Sequence, residues 1–217
     1  MQQAANTAVA VRQLGRSVEL LLSWALHSYR GFLVSPTGPF SVCNNLAGVT
    51  EFLLVNPEPT LQDAFIKCGM PTRVVFHGTS LDRLYAILRG GLRILSGDNI
   101  LQRHGAAYGQ GIYAADEPSV AFNYAGQWRG GWTNSSFQDV RVLLGCELAG
   151  QHTHATPGIY VIPNEKAIMV RYIFIIDRRI NVPPTRAVIE PRMAMVFASL
   201  RQMSTYRSFW SIPGADS

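Results

Sequence analysis

The stretch from Val74 to Tyr124 reads VVFHGTSLDRLYAILRGGLRILSGDNILQRHGAAYGQGIYAADEPSVAFNY. The apolar triplet Val74-Val75-Phe76 reads as a strand that delivers His77-Gly78-Thr79. Leu81–Arg89 follows with helical spacing, Leu81, Leu84, Tyr85 and Leu88 sharing one face, and Gly90-Gly91 stops it. Ser96–Gly111 is polar and Gly-rich, a loop of about fifteen residues, a length uncommon in a compact domain and usually functional or disordered. Gly111-Ile112-Tyr113 closes it, and Pro118–Tyr124 suits a short helix ending in a second tyrosine.

Working outward, residues 7–30 carry an apolar stripe (Val11, Leu14, Val18, Leu21, Leu22, Ala25) and read as a helix with Asn6 as cap and Gly31 as stop. Phe32–Thr50, rich in Pro, Gly, Ser and Asn, reads as a loop, and Glu51–Asn56 as a short apolar segment. A helix is expected from Thr60 to Lys67, ended by Gly69. Beyond the central stretch, Val140–Leu148, Ile159–Ile162 and Met169–Ile176 are rich in β-branched residues and predict strands. The tail from Val182 holds several prolines, with a helix expected between Pro191 and Met203. Helices followed by consecutive strands predict an α+β fold. The expected division is a helical segment over 1–70 packed on a core over 71–182, with 183–217 a tail of the same domain or frayed.

Composition narrows the function classes. At 217 residues and 47% hydrophobic the chain can bury a substantial core. No apolar run reaches the roughly 18–20 residues that span a bilayer. Three cysteines without CxxC pairing, and an N-terminus unlike a signal peptide, predict an intracellular protein, cytoplasmic or nuclear. The net charge of +5 comes from scattered residues, nearly all arginine. With no basic helix, RNA-recognition motif or zinc spacing, a nucleic-acid partner is not expected. His152 and His154 lack further ligands at zinc spacing, so no metal is expected either.

A strand ending in His-Gly sets an imidazole beside a backbone without a side chain, and Tyr113 and Tyr124 can wall the same slot. That arrangement suits a flat heteroaromatic amide. Each element is commonplace alone; their order and the 36-residue step from His77 to Tyr113 are not.

The chain thereby resembles the catalytic domain of the PARP superfamily, the diphtheria-toxin-like ADP-ribosyltransferases. LQRHGAAYGQGIY and the upstream LLSWALHSYR are most similar to the branch containing vertebrate members six, eight and sixteen. The resemblance implies split antiparallel β-sheets around an NAD cleft, with NAD as substrate. It further implies transfer of a single ADP-ribose to a protein acceptor, the enzyme itself included. It assigns His77 to a ribose hydroxyl, Gly78 to the carboxamide, Tyr113 and Tyr124 to the nicotinamide ring, and Thr79, Arg93 and Tyr108 to the rest of the dinucleotide. Ser96–Tyr108 corresponds to the loop over the adenosine side.

Two departures stand out. Ala121 falls where many members carry a serine that bonds the carboxamide, which implies weaker binding. The third motif position, a glutamate in polymerising members, falls at Ile159, or at Tyr160 if the Pro163–Lys166 turn holds a one-residue gap; neither is a carboxylate. With His77, Tyr113 and Ile159 as the catalytic set, the resemblance implies mono-transfer without chain growth. A weakly active or inactive NAD-binding scaffold, and modification of nucleic-acid ends, remain as alternatives.

Overall fold

The computed structural model describes residues 13, 15–21, 32–43, 46–57, 59–94, 108–126, 128–129, 137, 139–180 and 182–206. Of the helix expected over residues 7–30, residues 16–21 are helical; Trp24, His104 and Trp132 lie outside the described residues.

Eight antiparallel strands form one hydrogen-bonded sheet: β1 (Phe32–Val34), β2 (Val49–Asn56), β3 (Thr72–Thr79), β4 (Ile112–Ala115), β5 (Trp128–Arg129), β6 (Asp139–Ala149), β7 (Ile159–Ile162) and β8 (Ile168–Asp177). The order across it is β1-β2-β8-β6-β3-β4-β7, with β5 on β6. Among the described residues the helices α1 (Pro59–Ile66), α2 (Leu81–Gly90), α3 (Pro118–Asn123) and α4 (Arg186–Tyr206) accompany it, besides the helical residues 16–21. The fold is α+β. The division expected around the cleft takes the form of a narrowing: β3 and β4 share a single pair, Phe76 with Ala115.

Side-chain alternation assigns each strand's residues to two cores. Val74, Phe76, Leu143, Tyr172, Phe174 and Ile176 face α3 and α4. Val75, Leu144, Cys146, Ile173 and Ile175 face α2. The central strands β6 and β8 are buried on both faces, which explains their almost unbroken apolar composition. On α4, Ile189, Met193, Phe197 and Leu200 repeat at helical spacing and are buried. Each such side chain contributes about 1.5–3 kcal/mol on leaving water. Gly145 admits this helix: a Cβ there would lie 2.4 Å from Met193 Cε.

β4 is held in the sheet by β7, which pairs with all four of its residues. The structure corrects two local expectations. Phe32–Val34 and Val49–Thr50, expected in a loop, are strand, because the register of β2 on β8 continues to Val49–Ile176 and β1 then covers the open edge of β2. α4 begins at Arg186, five residues before Pro191, since burying Ile189 outweighs the one backbone bond that proline forgoes.

The N-terminal part is tied to the sheet by polar contacts. Ser41 Oγ and the Val42 and Cys43 amides donate to the Glu51 carboxylate. The Tyr172 hydroxyl donates to the Phe40 carbonyl at 2.6 Å. Burial raises the Cys43 and Cys146 thiols well above their ordinary pKa, so neither is a reactive thiolate.

Candidate active site

Where β3 and β4 separate, a cleft of about 800 Å³ opens. It is lined by nine of the ten residues singled out from sequence: His77, Gly78, Thr79, Arg93, Tyr108, Tyr113, Ala121, Tyr124 and Ile159. Tyr160 is absent from it.

His77 ends the paired part of the β3–β4 seam. Its Nδ1 lies 2.7 Å from the Tyr113 carbonyl oxygen. A carbonyl only accepts, so Nδ1 carries the proton, and Nε2 is the nitrogen left for the cleft, an acceptor in the neutral ring. Burial lowers the His77 pKa, the Tyr113 carbonyl opposes that shift, and the positive charge of Arg83 adds to it. The ring is therefore neutral at pH 7. The imidazole also takes the place of a second rung between the two strands.

Gly78 is required by the protein itself. A Cβ built there would sit 2.0 Å from the Ala121 carbonyl oxygen, 2.7 Å from the Ala125 amide nitrogen and 3.0 Å from the Tyr124 carbonyl carbon. Only a bare strand lets the end of α3 approach this closely, and that approach places Tyr124 across from Tyr113. Ala121, on α3, is buried yet lines the cleft.

The Tyr113 hydroxyl accepts from the Tyr108 amide and donates to the Gly109 carbonyl, both at 2.9 Å. Its ring can wall the slot while its oxygen holds the Tyr108 and Gly109 backbone. Across the cleft lining, Glu165 accepts from Arg93 Nη1 at 2.9 Å and from the Ile94 amide at 2.6 Å. Arg93, expected on the phosphate side, is thus exposed and already ion-paired. Glu165 is a structural clamp.

Strand alternation on β7 separates the two alternatives for the third motif position. Ile159, paired with Ala115, lines the cleft. Tyr160 points to the other face and is 3% exposed; its hydroxyl accepts from Arg73 Nη1 at 3.0 Å, and its ring lies 4.3 Å from His154. A cofactor contact from Tyr160 does not fit this geometry. The carboxylates nearest to β7 in sequence are engaged elsewhere: Glu147 is fully buried, bonded to Arg171 and Arg201, and Glu165 is bonded to Arg93 and the Ile94 amide.

Sequence reading missed Ser80, Asp82, Arg83 and Asn123, which also line the cleft. The first three sit at the start of α2, directly after His77-Gly78-Thr79, where a helix leaving the site must present its first turn. The signal lay in their adjacency and was masked by the apolar face of the same helix. Among the described residues no group of three or more His, Cys, Asp or Glu side chains converges to hold a metal ion, and no helix is long and apolar enough to cross a membrane. His154 Nε2 contacts Asp116 Oδ2 at 2.6 Å, and His152 Nε2 the Ala149 carbonyl at 2.9 Å.

A family model described as poly(ADP-ribose) polymerase catalytic domain matches residues 56–151, a span that holds the cleft's walls from β3 to α3. The match takes in 96 of the 217 residues and makes that segment similar to PARP catalytic domains. The chain is similar to the protein mono-ADP-ribosyltransferase PARP8 of Homo sapiens, 25% identical over 189 residues, which cover 72% of this chain and 22% of that protein. It is likewise similar to PARP8 of Mus musculus, 32% identical over 111 residues, covering 49% of this chain and 12% of the relative. The aligned part thus spans less than a quarter of the length of either relative. β7 and the Ile159 position lie beyond the matched residues.

Proposed function

We propose that this chain is a mono-ADP-ribosyltransferase that uses NAD as substrate and transfers one ADP-ribose to a protein side chain, releasing nicotinamide. The observation that carries the reading is the meeting of His77, Gly78, Tyr113 and Tyr124 in one cleft whose third motif position is Ile159. The two tyrosines would bracket the nicotinamide ring, with stacking of about 0.5–1.5 kcal/mol per aromatic pair. His77 Nε2 would accept from a ribose hydroxyl, bending the dinucleotide so that its glycosidic bond faces the acceptor side. The bond from the ribose anomeric carbon to nicotinamide nitrogen breaks, the electron pair leaves with nicotinamide, and the acceptor nucleophile takes its place. Catalysis would rest on positioning and electrostatics. An isoleucine cannot polarise an acceptor ribose hydroxyl, so elongation stops after one unit. No metal enters this scheme.

Incubation with labelled NAD tests the proposal. The wild type should acquire single ADP-ribose units, whereas His77→Ala and Tyr113→Ala should not. Polymer ladders would overturn the role given to Ile159. A second reading, an NAD-binding sensor with little turnover, is favoured by Ala121, which removes one hydrogen bond to the carboxamide. It predicts an NAD-dependent thermal shift without label.

A further inference from the structure

We propose that Arg141 is a positioning residue for the ring-binding wall of the cleft, fastening the turn at the end of α3 and so setting where Tyr124 stands. Its bearing on ligands rests on the reading of the Tyr113–Tyr124 slot given above. Arg141 lies on β6 beside Val142, the partner of Thr79. Its Nε donates to the Ala125 carbonyl at 3.2 Å and its Nη2 to the Phe122 carbonyl. Its Cζ stands 3.8 Å from the centre of the Phe122 ring. These partners bracket Tyr124 in sequence, two residues before it and one after. From the same face of the sheet, Gly78 of β3 lies against the Ala121–Ala125 turn. The turn is therefore held by a bare strand and, on the neighbouring strand, a guanidinium.

The residue type suits the task. The Phe122 carbonyl already accepts from the Ala125 amide at 3.0 Å, so Arg141 adds a second, charge-assisted bond to it and one to the Ala125 carbonyl. A planar fork reaches two carbonyls and lies on an aromatic face at once, whereas lysine supplies only a point charge. The wall needs such a fastening because Tyr124 is 50% exposed, so burial does little to fix its ring.

The test compares wild type, Arg141→Lys and Arg141→Met in the full chain by two readouts. The first is amide hydrogen exchange over residues 120–126 without ligand. The second is the affinity for benzamide, a ring-amide probe, against that for ADP-ribose. In Arg141→Met, exchange over 120–126 should accelerate and benzamide binding weaken about ten-fold, the loss of one charge-assisted bond, with ADP-ribose affinity held within about two-fold. Arg141→Lys should fall between. Unchanged exchange over 120–126, or an equal loss of both ligands together with a lowered Tm, would overturn the proposal. If Arg141→Met fails to fold, Arg141→Lys decides: weakened benzamide with retained ADP-ribose supports the role, and no change in either readout overturns it. If the wild type binds neither probe, the dinucleotide reading fails, and the exchange experiment still decides whether Arg141 holds the turn.

Discussion

Along its edge with β6, β3 pairs at every residue from Thr72 to Thr79; along its edge with β4 it pairs once, Phe76 with Ala115. The two edges of one strand divide the labour of the molecule. At the closed edge, polar groups are consumed internally. Glu147, fully buried on β6, bonds Arg171 and Arg201, and Arg171 Nη1 donates to Gln62 at 2.9 Å. Burial pulls the Arg171 guanidinium down to about 10. At the open edge the strands part after one rung, the imidazole of His77 replaces the next, and side chains face a cleft. A sheet makes room for a ligand where its ladder stops, and the residue that stops it is placed to serve both structure and site.

Breaking the closed edge should have the largest effect. Glu147→Leu strands the buried charge of Arg171, whose Nη2 already has no partner among the described residues. Unfolding in urea should show a loss of about 3–5 kcal/mol, with benzamide affinity of the folded fraction unchanged. A loss under about 1 kcal/mol would show that this edge does not depend on its ion cluster.

Gly78→Ala strikes the boundary between the edges. The added methyl meets backbone, which cannot swing aside, so we expect about 1–3 kcal/mol of destabilisation together with loss of benzamide binding. Retained binding would show that Tyr124 does not depend on this approach.

The open edge should reveal itself through pH. The folded state holds His77 below its ordinary pKa of 6.5, so between that lowered value and 6.5 the unfolded chain binds more protons. Stability should therefore be complete above pH 6.5 and fall as pH drops below it, by at most about 1.4 kcal/mol per unit. NAD affinity should hold through that window and fall only at lower pH, where the folded ring itself takes a proton and Nε2 ceases to accept. His77→Gln should flatten both dependences; persistence of either would assign it elsewhere.

The smallest effect should come from restoring a bond at the cleft wall. Ala121→Ser should tighten benzamide by about 0.5–1.5 kcal/mol, read by calorimetry, with little change in stability. No gain would place the carboxamide away from α3.

Much of this was legible in the residues. The nearly unbroken apolar, β-branched runs in Val140–Leu148 and Met169–Ile176 show strands because a sheet buried on both faces needs apolar groups on both, and His77-Gly78, Tyr113 and Tyr124 suggest a slot by their order and spacing. β1 was not legible, since a short segment becomes a strand only when a distant neighbour offers a ladder. Nor was the choice between Ile159 and Tyr160, which turns on the register of β7 against β4 across about fifty residues. Arg141 and Glu165 carry no local mark at all; what they hold, Phe122 and Ala125 in one case and Arg93 and Ile94 in the other, comes within reach only through folding. The chain by itself marked most of the residues that line the cleft, because motif residues and their order, the grounds of the family resemblance, are properties of the sequence. Tertiary structure alone decided what holds those residues in place, because a hydrogen-bond partner is defined by distance in space.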